Sequence, residues 1–129
     1  MSHYIDGFVL PVPRKSIDDY RRLVEATAAI WKEHGAIDYR EYIGDDLSAV
    51  QTGSFIDALG ADQDEAIIFG WVVFESRETR DLANSRVSTD PRMTDLLNAY
   101  GGEFDARRMA YGGFQSFVTL AGDDQLQTA

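Results

Sequence analysis

Residues 66–75, AIIFGWVVFE, form a nearly unbroken apolar run with one glycine inside it. A run this short and this rich in branched and aromatic residues is a strand, and it is too short for a membrane helix. Apolarity without alternation means a strand covered on both faces. Whatever the rest of the chain does, it must supply a sheet around this strand and material above and below it.

The flanking segments supply most of it. YIDGFVLPV (4–12) reads as a first strand stopped by Pro11 and Pro13. Ser16 is placed to cap a helix over 16–34, answered by Asp19. Ile17, Tyr20, Val24, Thr27, Ala28 and Trp31 form its apolar stripe, and Gly35 lies just past its end. AIDYREYI (36–43) is a second strand. Residues 44–64 are polar and aperiodic, with a short helical turn at SFIDAL. Ser76 caps a further helix to Val87 with Leu82, Ala83 and Val87 inward, and Asp90-Pro91 starts a short one anchored by Leu96 and Leu97. A last strand is expected over 108–120, with a disordered tail at 122–129. One domain over 1–121 follows from this length.

Strand, helix, strand, strand, helix, strand is the βαββαβ order of the ferredoxin-like α+β fold. Right-handed crossovers then give a four-stranded antiparallel sheet in order 4-1-3-2 with the helices on one face. Alternation groups Ile5, Gly7 and Val9 with Ile68, Gly70 and Val72, and with Ala110, Gly112 and Phe114. That predicts a row of glycines under the helices, there chiefly for close packing, with a ligand cavity as the alternative. The opposite face then carries Asp6, Phe8, Arg40, Tyr42, Phe69, Trp71, Tyr111 and Phe117. It is too aromatic to face water, so a homodimer joined sheet to sheet is expected.

Charge narrows the partners. The net charge is −10, with six acids and no base between Asp45 and Glu65, and two more acids at Asp123 and Asp124; fourteen acids against twelve bases remain elsewhere. The arginines are interleaved with acids and make no basic stripe, so nucleic acid is not an expected partner. There is no cysteine, and the two histidines are too few for a histidine-rich metal site. No metal or cofactor is expected. The N-terminus has no basic, long-apolar leader, and no membrane span is present, so a cytoplasmic location is expected.

The segments YIDGFVLPVP, WKEHGAIDYREY, GWVVFESRETRD, DPRM and FDARRMAYGGF resemble the family named domain of unknown function 1428, the YbaA-like proteins, over about residues 4 to 119. The resemblance implies a dimeric α/β barrel and carries over no catalytic residues. Some enzymes of the wider barrel group use an amide on the first strand, a tryptophan on the third and a histidine on the second helix. Asp6 and Trp71 hold similar places here, and the second helix has no histidine.

The candidate ligand-binding residues are Asp6, His34, Arg40, Tyr42, Trp71, Arg108 and Tyr111. Asp6, Arg40, Tyr42, Trp71 and Tyr111 are expected to line one aromatic pocket for a small planar or carbonyl compound, with Arg40 suited to an oxyanion. His34 is either a helix-end histidine favoured by the dipole or a base at the rim. Arg40 and Arg108 either bind an anion or pair with Asp6, Glu41 or Asp105. Catalysis itself stays open. The other reading is a non-catalytic stress or interaction protein that acts through the acidic 44–64 loop.

Overall fold

The computed structural model describes residues 3–48, 51–102 and 105–120. Its centre is β3 (Glu65–Phe74), which pairs along its whole length with β1 (Tyr4–Pro13), from Tyr4 opposite Phe74 to Pro13 opposite Glu65. On its other side β3 pairs with β2 (Asp38–Ile43), and β4 (Ala110–Gln115) closes the far edge against β1. The order β2-β3-β1-β4 is the expected 4-1-3-2 read from the opposite edge, and every pairing is antiparallel. The fold is ferredoxin-like α+β.

Helix α1 (Ile17–Glu33) joins β1 to β2, α2 (Phe55–Leu59) lies in the 44–64 segment, and α3 (Arg77–Ser88) and α4 (Pro91–Tyr100) join β3 to β4. Local chemistry sets their ends. Ser76 accepts from the Thr79 N–H to open α3. Asp90 accepts from the Arg92 N–H to open α4, with Pro91 at the first position. Gly35, at φ 124°, takes the backbone past the end of α1 where a side chain would be strained. Ser16 makes no side-chain cap; a 3-10 turn at Arg14–Ser16 leads into α1 instead. Leu82 is exposed, leaving Ala83 and Val87 as the buried residues of α3.

The last strand is shorter than expected. A 3-10 turn at Ala106–Arg108 precedes it, and residues 116–120 continue beyond it outside the sheet. The expected tail, 122–129, lies outside the described residues. No described helix is long and apolar enough to cross a membrane.

The main correction concerns the faces. Gly7 stands opposite both Trp71 and Gly112, whereas Gly70 stands opposite Phe8 and Glu41. Directly opposed residues of an antiparallel pair share a face. Gly7 and Gly112 are therefore neighbours, but with Trp71 on the face without helices. Gly70 belongs to the other face, where Phe8, Leu10, Val12, Ile68, Val72 and Phe74 form the core with Tyr20 and Ala83. The expected phases of β1 and β4 were each one residue off relative to β2 and the aromatic positions of β3.

Three of the interior glycines then have separate surroundings. A Cβ on Gly70 would lie 2.6 Å from the Arg40 carbonyl oxygen and from the Phe8 ring, and 2.9 Å from Glu41 Cγ. Gly70 lets the Phe8 ring lie against the sheet. A Cβ on Gly113 would land on the Arg80 guanidinium and the Tyr4 hydroxyl. Gly7 lies beneath the Phe114 ring, 3.4 Å from where its Cβ would be.

Gly70→Ala should destabilise the chain by about 1–3 kcal/mol, since neither strand backbone nor ring can retreat cheaply. Urea denaturation with an unchanged midpoint would contradict this account of the glycine.

Candidate functional site

Four residues lie in one row across the helix-covered face: Glu41 on β2, Gly70 on β3, Phe8 on β1 and Tyr111 on β4. Three strand spacings, about 14 Å, separate the backbones of its two ends. The missing side chain at Gly70 and the Phe8 ring make the middle of the row apolar and low. Above it is a cavity of about 230 Å³, walled by α1 (Tyr20, Leu23, Val24, Thr27, Trp31), by Met93 and Leu97 of α4, and by Met109. A groove of about 500 Å³ runs outside it between α1 and β2, and Tyr20, Val24, Tyr39 and Glu41 belong to both.

Glu41 is the chemical centre of this region. Tyr20 donates its hydroxyl hydrogen to Oε1 at 2.5 Å and Tyr39 donates to Oε2 at 2.6 Å. Burial pushes the Glu41 carboxyl up from its ordinary value, and the two phenol hydrogen bonds act in the opposite direction. Burial and then the Glu41 charge push both phenols up, so they remain donors at neutral pH. A perturbed carboxyl with two fixed donors in an apolar cleft can exchange a proton with a bound molecule while the phenols hold an oxygen.

Only part of the expected set meets here. Tyr111 lines the cavity, and Asp6 lies on the same side of the sheet, fully buried and held by Arg80 Nε at 2.8 Å. Arg40, Tyr42 and Trp71 lie on the other face, so the register divides the expected single pocket in two. There is no Asp6–Arg40 bridge. Arg40 donates to Asp38 at 2.8 Å, while Tyr42 stacks on Trp71 with centroids 5.3 Å apart. His34 ends α1 and faces Asp90, with Nε2 3.0 Å from Oδ2. Arg92 and then His34 hold Asp90 far below the usual carboxylate range. Arg108 binds Glu65 at 2.5 Å and the Gly60 carbonyl at 3.0 Å, tying the start of β3 to the approach to β4. Among the described residues, no group of three or more His, Cys, Asp or Glu is placed to hold a metal ion.

The uncovered face has its own character. Phe69, 43% exposed, packs edge-on against Trp71 and against Phe55 of α2. Phe69 and Trp71, with Ile5, Val9 and Phe114, border an apolar depression over Gly7 and Gly112.

Residues 3–106 match the model of a family described as "Protein of unknown function (DUF1428)". The uncharacterized protein YbaA of Escherichia coli strain K12 is 36% identical over 115 residues, which cover 89% of this chain and 97% of that protein. Among solved structures, a NIPSNAP family protein of unknown function from Agrobacterium tumefaciens superposes with a TM-score of 0.54 at 16% identity, covering 88% of this chain and 87% of that one. A cofactor-independent oxygenase from Streptomyces nogalater, SnoaB, has a TM-score of 0.46 at 14% identity, covering 92% of this chain and 95% of that one.

The raised Glu41 carboxyl has a consequence for stability. In the unfolded chain it titrates near 4.5; in the folded chain it holds its proton to higher pH. Between the two values the unfolded chain has already released a proton that the folded chain keeps, so this group's contribution falls as pH rises through that window. Relative to Glu41→Gln, the parent should lose unfolding free energy as pH rises from the ordinary carboxylate range through the higher range in which the folded carboxyl titrates. Parallel stability profiles for the two proteins would contradict it.

Proposed function

The chain belongs to the DUF1428 family, and from that premise we propose that it binds a small planar compound bearing a carbonyl group in the cavity between sheet and helices. The observation that carries this reading is the half-buried Glu41 carboxyl, clasped by Tyr20 and Tyr39, at the junction of the cavity and the outer groove. An apolar cavity of about 150 Å³ takes up benzene; 230 Å³ accommodates one ring with substituents. A carbonyl oxygen beside Glu41 replaces the carboxylate as acceptor for one phenol. Glu41 then takes a proton from the carbon next to that carbonyl, the C–H electron pair moves to the oxygen as an enolate, and the phenol now bonded to that oxygen stabilises the charge. Return of the proton closes the step without a further reactant.

The chain contains two tryptophans, and only Trp31 lines this cavity. In a Trp71→Phe background, fluorescence therefore reports the cavity alone. Acetophenone and 1,4-benzoquinone should quench Trp31 saturably, and Val24→Phe, which fills the cavity, should abolish the effect while the fold is retained. Linear, unsaturated quenching by both compounds would refute the reading.

The uncovered sheet face supports a homodimer as the acting form. The β3 run is apolar on both sides, yet α1, α3 and α4 cover only one; α2 reaches the other through Phe55 against Phe69, and Phe69, Trp71, Tyr42 and Phe114 remain there. A two-fold contact would cover all of them with the same patch of a second copy. Light scattering should give the mass of two chains at micromolar concentration, and Phe69→Glu should give one, because it places an unpaired charge in the contact. A parent of single-chain mass would overturn the dimer and leave the cavity reading intact.

A further inference from the structure

A carbonyl carbon has two substituents. Glu41, Tyr20, Tyr39 and Val24 border both the inner cavity and the outer groove. With the carbonyl at Glu41 and the ring in the cavity, the second substituent points into the groove. The linings of the two spaces limit what that substituent can be.

In the cavity, Glu41 is the one carboxylate, and no lysine, arginine or histidine lines the wall. An anionic group placed there would meet Glu41 with no cation to offset it. The groove differs. Arg21 of α1 lines it, and no other cationic side chain lines either space. Arg21 directly follows Tyr20, so it sits at the level of the helix from which that phenol reaches Glu41. It is exposed and makes no hydrogen bond or ion pair with any described residue. By contrast, Arg22 pairs with Asp19, Arg80 with Asp6, Arg92 with Asp90 and Arg108 with Glu65. Glu25 stands one turn further along α1 and also lines the groove. It is the ordinary helix partner for Arg21, yet no ion pair joins them. An unengaged guanidinium offers a flat fork of N–H donors matched to a carboxylate.

We infer that the substituent in the groove is a carboxylate held by Arg21, which makes the compound an aryl-substituted 2-oxo acid. Ring, methylene, carbonyl and carboxylate follow in that order from the cavity outward. This rests on the cavity being the binding site. The methylene lies between ring and carbonyl, so it carries the hydrogen that Glu41 removes. The oxyanion partner is thus Arg21 on the helix side, whereas Arg40 lies on the other face of the sheet.

Calorimetric titration with a matched pair of probes tests it. Phenylpyruvate has the carboxylate, and phenylacetone has a methyl group in its place. Phenylpyruvate should bind about fivefold or more tightly. Arg21→Gln, an exposed substitution, should remove that difference and leave phenylacetone unchanged. Lys32→Gln takes the same charge from an exposed position of α1 outside the groove and should keep the difference. Equal affinities in the parent, or an equal loss in both variants, would overturn the inference while leaving the cavity as a binding site. If neither probe binds, the inference falls; acetophenone then shows whether the cavity reading falls with it, by binding or failing to bind the same protein.

Discussion

The ten-residue pairing of β1 with β3 decides what every other side chain in the sheet can do. It sets Phe8 opposite Gly70, which leaves an open floor where two large residues would otherwise collide. It also sets Asp6 opposite Val72, on the helix side, where a carboxylate needs a cation; Arg80 of α3 supplies one. A shift of one residue would move Leu10, Val12 and Phe8 to the uncovered side and bring Ile5 and Val9 inward. The alternative is not obviously worse in apolar content, since β1 is hydrophobic on both faces. The Asp6–Arg80 pair and the Gly70 gap separate the two registers, because neither survives the shift.

This also explains what the sequence conveys and what it conceals. Element order, and with it the fold, was legible because strands, helices and their stops are local. Ser76, Asp90-Pro91 and Gly35 each mark an end through chemistry confined to a few residues. Alternation was equally legible within each strand. It does not say which of two apolar faces turns inward, and for β1 and β4 the two phases look alike. Arg40 and Asp6 read as partners because their charges are opposite and each stands among aromatics. Register places them on opposite sides of the sheet, where each has a nearer partner.

The candidate site was half visible for a related reason. Tyr111 stands among the expected pocket residues, whereas Tyr20 reads only as part of the apolar stripe of α1. Glu41 looked like an ordinary strand carboxylate in DYREY, since nothing local tells that Tyr39 and Tyr20 enclose it. One signal was available: Tyr39, Glu41 and Ile43 form an alternate set as good as Asp38, Arg40 and Tyr42. An acid in the face that also carries the aromatic nearest the helix is a candidate for burial.

The two edges of the sheet are defended unequally. Along β2, Asp38 and Arg40 put charges at the rim, which discourages a foreign strand from adding there. Along β4 two glycines stand in a six-residue strand, and the chain beyond it carries Phe117, Val118 and Leu120 at 96%, 81% and 94% exposure. That edge offers unpaired backbone groups beside sticky side chains, the usual template for edge-to-edge aggregation. What holds copies apart at long range is the net charge of −10. Such repulsion reaches about 10 Å at 0.1 M salt and shrinks as salt is added. Colloidal behaviour of this protein is therefore tied to ionic strength through a strand that has no guard of its own.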